Sequence, residues 1–305
     1  MTTVIQNIIF AKTTRFTINF MENSKTPLID IHKVIKNKNP KLYKQLPGFL
    51  INYLKKVIRQ DELNAFIKQN NQYSGIEFLR KSFEYFNVKA EVEGWENFPK
   101  NSKIIIAANH PAGSFDGLFI IDTCFRKYGK AKALVNDLLL NIKNLNEFFM
   151  GVNLYGKTHR NDLLEINNIF ESDMPVIFFP AGLVSRRNKK VIKDLEWKKA
   201  FVSQAIKHKR DIVPIHISGK LSNKYYTVAN LRKSLKIKAN IELFLLAQEA
   251  TKQRNAYYKI KIGKLIPYQS LTADFKEIEW AQKIKEHVYE TEKNINSDFT
   301  ITKKS

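Results

Sequence analysis

Hydrophobic positions recur with two different periods along this chain, and the change between them falls near residue 87. Before it the spacing is helical. Ile31, Val34 and Ile35 share one short face, ended near Asn39-Pro40. Phe49, Leu50, Tyr53, Leu54, Val57 and Ile58 form a stripe that starts at Pro47-Gly48, and Ile76, Leu79, Phe83 and Phe86 form another. After it, short apolar runs predict strands at Val88–Glu93, Ile104–Ala108, Ala131–Asn136, Gly151–Tyr155, Val176–Phe179, Ile212–Ile217 and Tyr257–Ile262. Helices are predicted at Leu118–Lys127, Leu138–Phe149, Asp162–Glu171, Asp194–His208, Asn240–Lys252 and Ile278–Lys293. Asp194 and Glu196 would open the fourth of these and suit its dipole.

Strands separated by helices of this length make an α/β fold, a largely parallel mixed sheet flanked by helices. The pattern divides the chain into a helical N-terminal portion, residues 1–87, an α/β domain, 88–295, and a disordered tail, 296–305. Residues 1–28 are weakly patterned. The Phe49–Ile58 stripe reads in two ways, as core packing or as an interfacial helix facing a membrane.

Charge adds a constraint. The 305 residues carry 51 Lys and Arg against 29 Asp and Glu, a net charge of +22. That calls for an anionic partner surface, nucleic acid or the acidic leaflet of a membrane. No nucleic-acid-binding module or aromatic-interleaved basic motif is present, which argues against the first. No apolar run approaches the ~18–20 residues that span a bilayer. The N-terminus lacks the apolar core and small-residue cleavage site of a signal peptide. The expectation is a peripheral protein at the cytoplasmic face of a membrane. Cys124, the one cysteine, reads as core filler, and the six histidines show no metal-ligand spacing.

The chemistry concentrates in two strand ends. Ile104–Ala108 stops at Asn109-His110, a Pro/Gly/Ser turn follows, and Asp116 opens the next apolar stretch. A carboxylate across a loop from a histidine fixes its tautomer and stabilises the imidazolium formed when the ring takes a proton. The plainer reading is a turn with a capping Asp and an incidental His. Val176–Phe179 likewise ends in Pro180-Ala-Gly-Leu-Val-Ser-Arg-Arg187, where Gly182 allows close backbone approach. Ser185, Arg186 and Arg187 there offer donors suited to phosphate or carboxylate, or form a solvated basic loop.

Together these blocks resemble the glycerolipid (PlsC-like) acyltransferases. Asn109, His110 and Asp116 match that family's first block, and Phe179, Pro180, Gly182 and Ser185-Arg186 match its third loosely. Gly151–Arg160 falls where a second, head-group-binding block belongs, and Ile212-Val-Pro-Ile-His-Ile217 where a fourth does. Two departures stand out. Five residues, not four, separate His110 from Asp116, and Ala181 replaces the third-block Glu. Both variants look like the branch that groups hemolysin-type sequences with ornithine- and glycine-lipid O-acyltransferases.

The resemblance implies transfer of an acyl group from an acyl-CoA or acyl-carrier-protein thioester, as co-substrate, to the hydroxyl of a lyso-lipid. Lysophosphatidic acid and N-acyl amino-acid lipids are both open as the acceptor. His110 would be the base and Asp116 its orienter. Backbone N–H groups around Gly182 would meet the oxyanion, and Lys157, Arg160, Ser185, Arg186 and Arg187 would bind the acceptor. No bound cofactor or metal is required. The alternatives are a catalytically inactive basic protein on lipid or nucleic acid, and a hydrolase using Ser114 or Ser185 with His110. Neither serine sits in a Gly-x-Ser-x-Gly elbow.

Overall fold

Five parallel strands and an inverted pair form one seven-stranded sheet in the computed structural model, which describes residues 29–38, 40–136, 139–152, 160–235 and 243–300. The strands are β1 (Lys89–Glu93), β2 (Ile104–Ala108), β3 (Lys132–Asn136), β4 (Phe149–Val152), β5 (Val176–Phe178), β8 (Asp211–Ile217) and β9 (Tyr257–Ile262). Their order is β1-β9-β8-β2-β5-β3-β4. From β8 to β4 every pairing is parallel, whereas β9 runs antiparallel to β8 and carries β1 parallel to itself. A separate hairpin, β6 (Arg186–Asn188) with β7 (Val191–Lys193), turns at Lys189-Lys190.

Eleven helices are described: α1 (Ile31–Lys38), α2 (Pro40–Gln45), α3 (Gly48–Val57), α4 (Gln60–Gln69), α5 (Gly75–Phe86), α6 (Phe115–Tyr128), α7 (Arg160–Glu171), α8 (Ala200–His208), α9 (Asn223–Ser234), α10 (Leu243–Lys252) and α11 (Glu277–Thr291). The central strands are continuous apolar runs because helices cover both faces of the sheet. Ile104, Ile106 and Ala108 of β2 join one cluster with Phe78 and Leu79 of α5 and Phe119 and Ile120 of α6. Ile105 and Ala107 point the other way, into a cluster with Trp197, Phe201, Trp280 and Ile284. Phe66 and Ile67 of α4 belong to the first cluster, while Ile31, Ile35, Ile51 and Ile58 make a small one of their own.

The mixed, largely parallel sheet expected from the sequence is present, but several elements differ. The described part of the expected Leu138–Phe149 helix, from Leu139 onward, is not an α-helix. Two short 3-10 turns, Leu139–Asn141 and Lys143–Leu145, lead into β4, and the Asn144 side chain is spent on the Tyr73 carbonyl. The Asp194–His208 segment is helical only from Ala200, because Asp194 is buried as a hydrogen-bond acceptor and takes no part in a helix dipole. Helix α4, helix α9 and the β6–β7 hairpin were not expected. In α9 Tyr225 and Tyr226 are buried while Leu231 is exposed, so its apolar residues make no single stripe. Phe299, in the segment read as a disordered tail, packs on Trp280 and His287.

Arg210, fully buried after α8, ties the far end of the sheet together. Its guanidinium donates to the carbonyls of Phe170, Ile104, Met174, Ile169 and Ser172. Burial lowers its pKa to about 10, which leaves it charged at neutral pH.

Candidate active site

Parallel pairing of β8, β2 and β5 brings three strand ends to one edge, where open α/β sheets place their working loops. Each end carries one of the motif blocks. Asn109 joins two of them: its side chain donates to Ile217 O at 2.9 Å and accepts from Ile217 N at 2.7 Å, closing the ends of β2 and β8.

The next residue is paired with a carboxylate across the loop. His110 Nδ1 lies 3.0 Å from Asp116 Oδ2, and Asp116 is completely buried. The same carboxylate accepts from the backbone N–H of Ala112 (2.9 Å), Gly113 (3.0 Å) and Gly117 (3.2 Å). The five-residue spacing is absorbed at Gly113, whose φ of +83° favours glycine. A Cβ there would lie 2.8 Å from Val184 Cγ1, so the turn also lacks room for a side chain. Burial pushes the Asp116 pKa up, but His110 and the loop N–H groups more than reverse this and hold it below the usual carboxylate range. Burial likewise pulls His110 down, yet the charge and hydrogen bond of Asp116, helped by Asp194, leave it above the ordinary histidine value.

The His110 ring stacks on Phe179, centroids 4.2 Å apart, so the third block supports the first directly. With Nδ1 committed to Asp116, Nε2 is the nitrogen available to a substrate, and it has no hydrogen-bond partner among the described residues. A partly exposed histidine oriented by a buried carboxylate has the geometry of the base–orienter half of a triad.

Asp194 completes the frame, and sequence reasoning missed it. Its Oδ1 accepts from Ser185 Oγ at 2.5 Å and from the His110 backbone N–H at 3.2 Å, while Oδ2 accepts from Trp197 Nε1 at 2.9 Å. Ser185 N in turn donates to His110 O at 2.8 Å. Burial raises the Asp194 pKa, and the bonds from Ser185, Trp197 and His110 offset this only in part. The available signal was a carboxylate three residues before a buried Trp in an otherwise basic stretch.

The remaining expected site residues separate. Ser185 serves Asp194, and among the described residues no serine hydroxyl bonds the His110 ring, which removes the geometry of a serine hydrolase. Gly182 has a φ of +68° and its own N–H donates to Phe179 O at 2.9 Å, so among the N–H groups around it this one is committed to closing the turn.

Arg186 donates to Val184 O and Tyr225 OH and lies over the Tyr225 ring. Arg187 donates to Asn223 Oδ1, lies over Tyr226, and lines a cavity of about 500 Å³ with Lys189, Lys190 and Lys220. Lys157 and the Arg160 side chain lie outside the described residues. The Cys124 thiol is buried in α6, and burial pushes its pKa up, as for an inert core residue.

Comparison with known proteins agrees with this geometry. The profile of a family described as "Acyltransferase" matches residues 33–297. A lyso-glycine lipid O-acyltransferase of Bacteroides thetaiotaomicron is 41% identical over 263 residues, covering 86% of this chain and 97% of that protein. One from Phocaeicola vulgatus is also 41% identical, covering 86% and 94%. The chain belongs to the acyltransferase family. The crystal structure of the 1-acyl-sn-glycerophosphate acyltransferase PlsC of Thermotoga maritima aligns over 86% of this chain and 93% of its own, with 18% identity and a TM-score of 0.44. The acyltransferase is thus an enzyme of O-acyl transfer, with the His110–Asp116 pair at the sheet edge where its motif blocks meet.

Proposed function

We propose that this acyltransferase moves a fatty acyl group from a thioester, acyl-CoA or acyl-carrier protein, to the hydroxyl of a lyso-glycine lipid. The observation that carries the reading is the oriented His110, its Nδ1 on buried Asp116 and its Nε2 left for substrate, in a chain 41% identical to two lyso-glycine lipid O-acyltransferases. His110 Nε2 removes the acceptor proton as the hydroxyl oxygen attacks the thioester carbonyl. Asp116 balances the imidazolium. The C–S bond then breaks, and the departing thiolate takes the proton back from His110, leaving an ester and a free thiol.

The acceptor sits in a membrane, so the enzyme must reach one. Among the described residues no helix is long and apolar enough to cross a bilayer. Attachment at the cytoplasmic face would rest on the +22 charge and on exposed apolar residues. Phe49 (76% exposed) and Tyr53 (57%) of α3 are such residues, although Val57 of the same stripe is buried and Leu54 half-buried. Helix α3 packs on α10, whose Leu246 lies near Gly113 of the His110 loop.

The test is to incubate purified protein with CoA or carrier-protein thioesters and a panel of lyso-lipids, reading product masses. Diacylated glycine lipid should form with the wild type and fall ~10²–10⁴-fold with His110→Ala. A product only from lysophosphatidic acid would replace the acceptor, and near-normal turnover of the variant would remove His110 from the reaction.

A further inference from the structure

We infer that Lys198 forms a carboxylate-binding corner beside His110 and selects acceptors whose head group carries a single negative charge; this rests on the amino-acid-lipid reading above. Lys198 is attached to the third block through its backbone, its N–H donating to Pro180 O at 3.0 Å. Its side chain then folds over the turn: a Cβ built on Gly182 would lie 3.2 Å from Lys198 Nζ. The same turn begins at Phe179, whose ring is stacked on His110. An ammonium group therefore rests on the four-residue turn, Phe179 to Gly182, whose first ring supports His110.

Among the described residues Lys198 has no carboxylate partner, whereas Lys199 pairs with Glu277 and Lys193 with Glu286. Asp194, the buried acid nearest in sequence, is occupied by Ser185, Trp197 and the His110 N–H. Position 181 holds a buried alanine, so the turn brings no acid of its own.

The charge suits the ligand. Acylation of glycine's nitrogen removes its positive charge and leaves the carboxylate as the head group's sole ion. A compact ammonium meets such a monoanion as a point charge, whereas a guanidinium fork grips carboxylate and phosphate alike in bidentate fashion. The two forks available in this block, Arg186 and Arg187, are turned onto Tyr225 and Asn223 of α9.

The experiment compares wild type, Lys198→Met and Lys198→Arg in two readouts. In a calorimetric titration, N-lauroylglycine should bind wild type at least about tenfold more tightly than its methyl ester, the scale of a charge-assisted hydrogen bond. Lys198→Met should erase that preference and Lys198→Arg should keep part of it. In turnover, Lys198→Met should raise KM for the lyso-glycine lipid and spare the donor KM. Equal binding of acid and ester by wild type, or an unchanged preference in Lys198→Met, overturns the site. So does a loss of kcat with acceptor KM intact, which would place the ammonium on the reacting oxygen. Failure of wild type to acylate the lyso-glycine lipid removes the acceptor reading alone, since the titration judges Lys198 without turnover.

Discussion

Asp194 holds His110 by its backbone. The Asp194 carboxylate takes the His110 N–H at 3.2 Å, and the same oxygen takes the Ser185 hydroxyl at 2.5 Å. Asp116 orients the ring of that histidine, and Asp194 fixes the chain that carries it and joins the first block to the third. Two buried carboxylates thus divide the work of placing one imidazole.

Asp194→Asn tests that division. The amide keeps the size but can offer only one acceptor oxygen to three donors, so the loop should shift by a fraction of an ångström. Misplacement on this scale costs up to ~10²-fold in rate. We expect kcat to fall with little change in either KM and with the circular dichroism spectrum retained. A variant with wild-type kcat would show that Asp194 only packs.

The acid limb of the pH–rate profile is expected to report His110. As a base the ring must be neutral, so activity is present at high pH and lost as pH falls through its pKa. Asp116 and Asp194 raise that pKa above the ordinary 6.5, which places the limb on the alkaline side of 6.5. Asp116→Asn removes the charge that raises it, while burial still lowers it. The residual activity should therefore show an acid limb moved to lower pH. A limb that stays in place would mean another group titrates there.

Arg210 is expected to matter for stability alone. Arg210→Met removes five donors and leaves the carbonyls of Ile104, Phe170, Met174, Ile169 and Ser172 short of partners in a buried site. Unsatisfied buried acceptors cost about 1–3 kcal/mol each before relaxation. A loss of ~3 kcal/mol or more should appear as a marked drop in Tm by thermal or denaturant unfolding. An unchanged Tm would mean water replaces the guanidinium.

Membrane attachment separates into two contributions. Vesicle sedimentation should require anionic lipid and weaken steeply with ionic strength, since exposed cations are screened within about 10 Å at 0.1 M salt. Any salt-resistant remainder should disappear in Phe49→Asp/Tyr53→Asp. These two positions are exposed, so the double variant should keep the wild-type Tm. Binding to neutral vesicles that persists in the double variant would assign insertion to another surface.

The sheet and the His110–Asp116 pairing were legible in the sequence because each is encoded locally. A strand buried on both faces must be an unbroken apolar run, as in Ile104–Ala108 and Ile212–Ile217. A loop that pairs His110 with Asp116 needs only the five residues between them, with a glycine at the bend. The strand order was not encoded locally. The tertiary structure alone decided that β2 lies between β8 and β5, and this brings Asn109, Phe179 and Ile217 to one edge.

The same reason separates charged residues that lie close together in the sequence. Lys, Arg and Asp differ in role according to what lies across from them, and those partners are far along the chain. Arg186 meets Tyr225, Arg187 meets Asn223, Lys198 meets the Gly182 turn, and Asp194 meets His110 from 84 positions away. Hydrophobic period records which face of an element is buried. It carries no record of which distant polar group fills a given hydrogen bond, because that depends on how the layers pack.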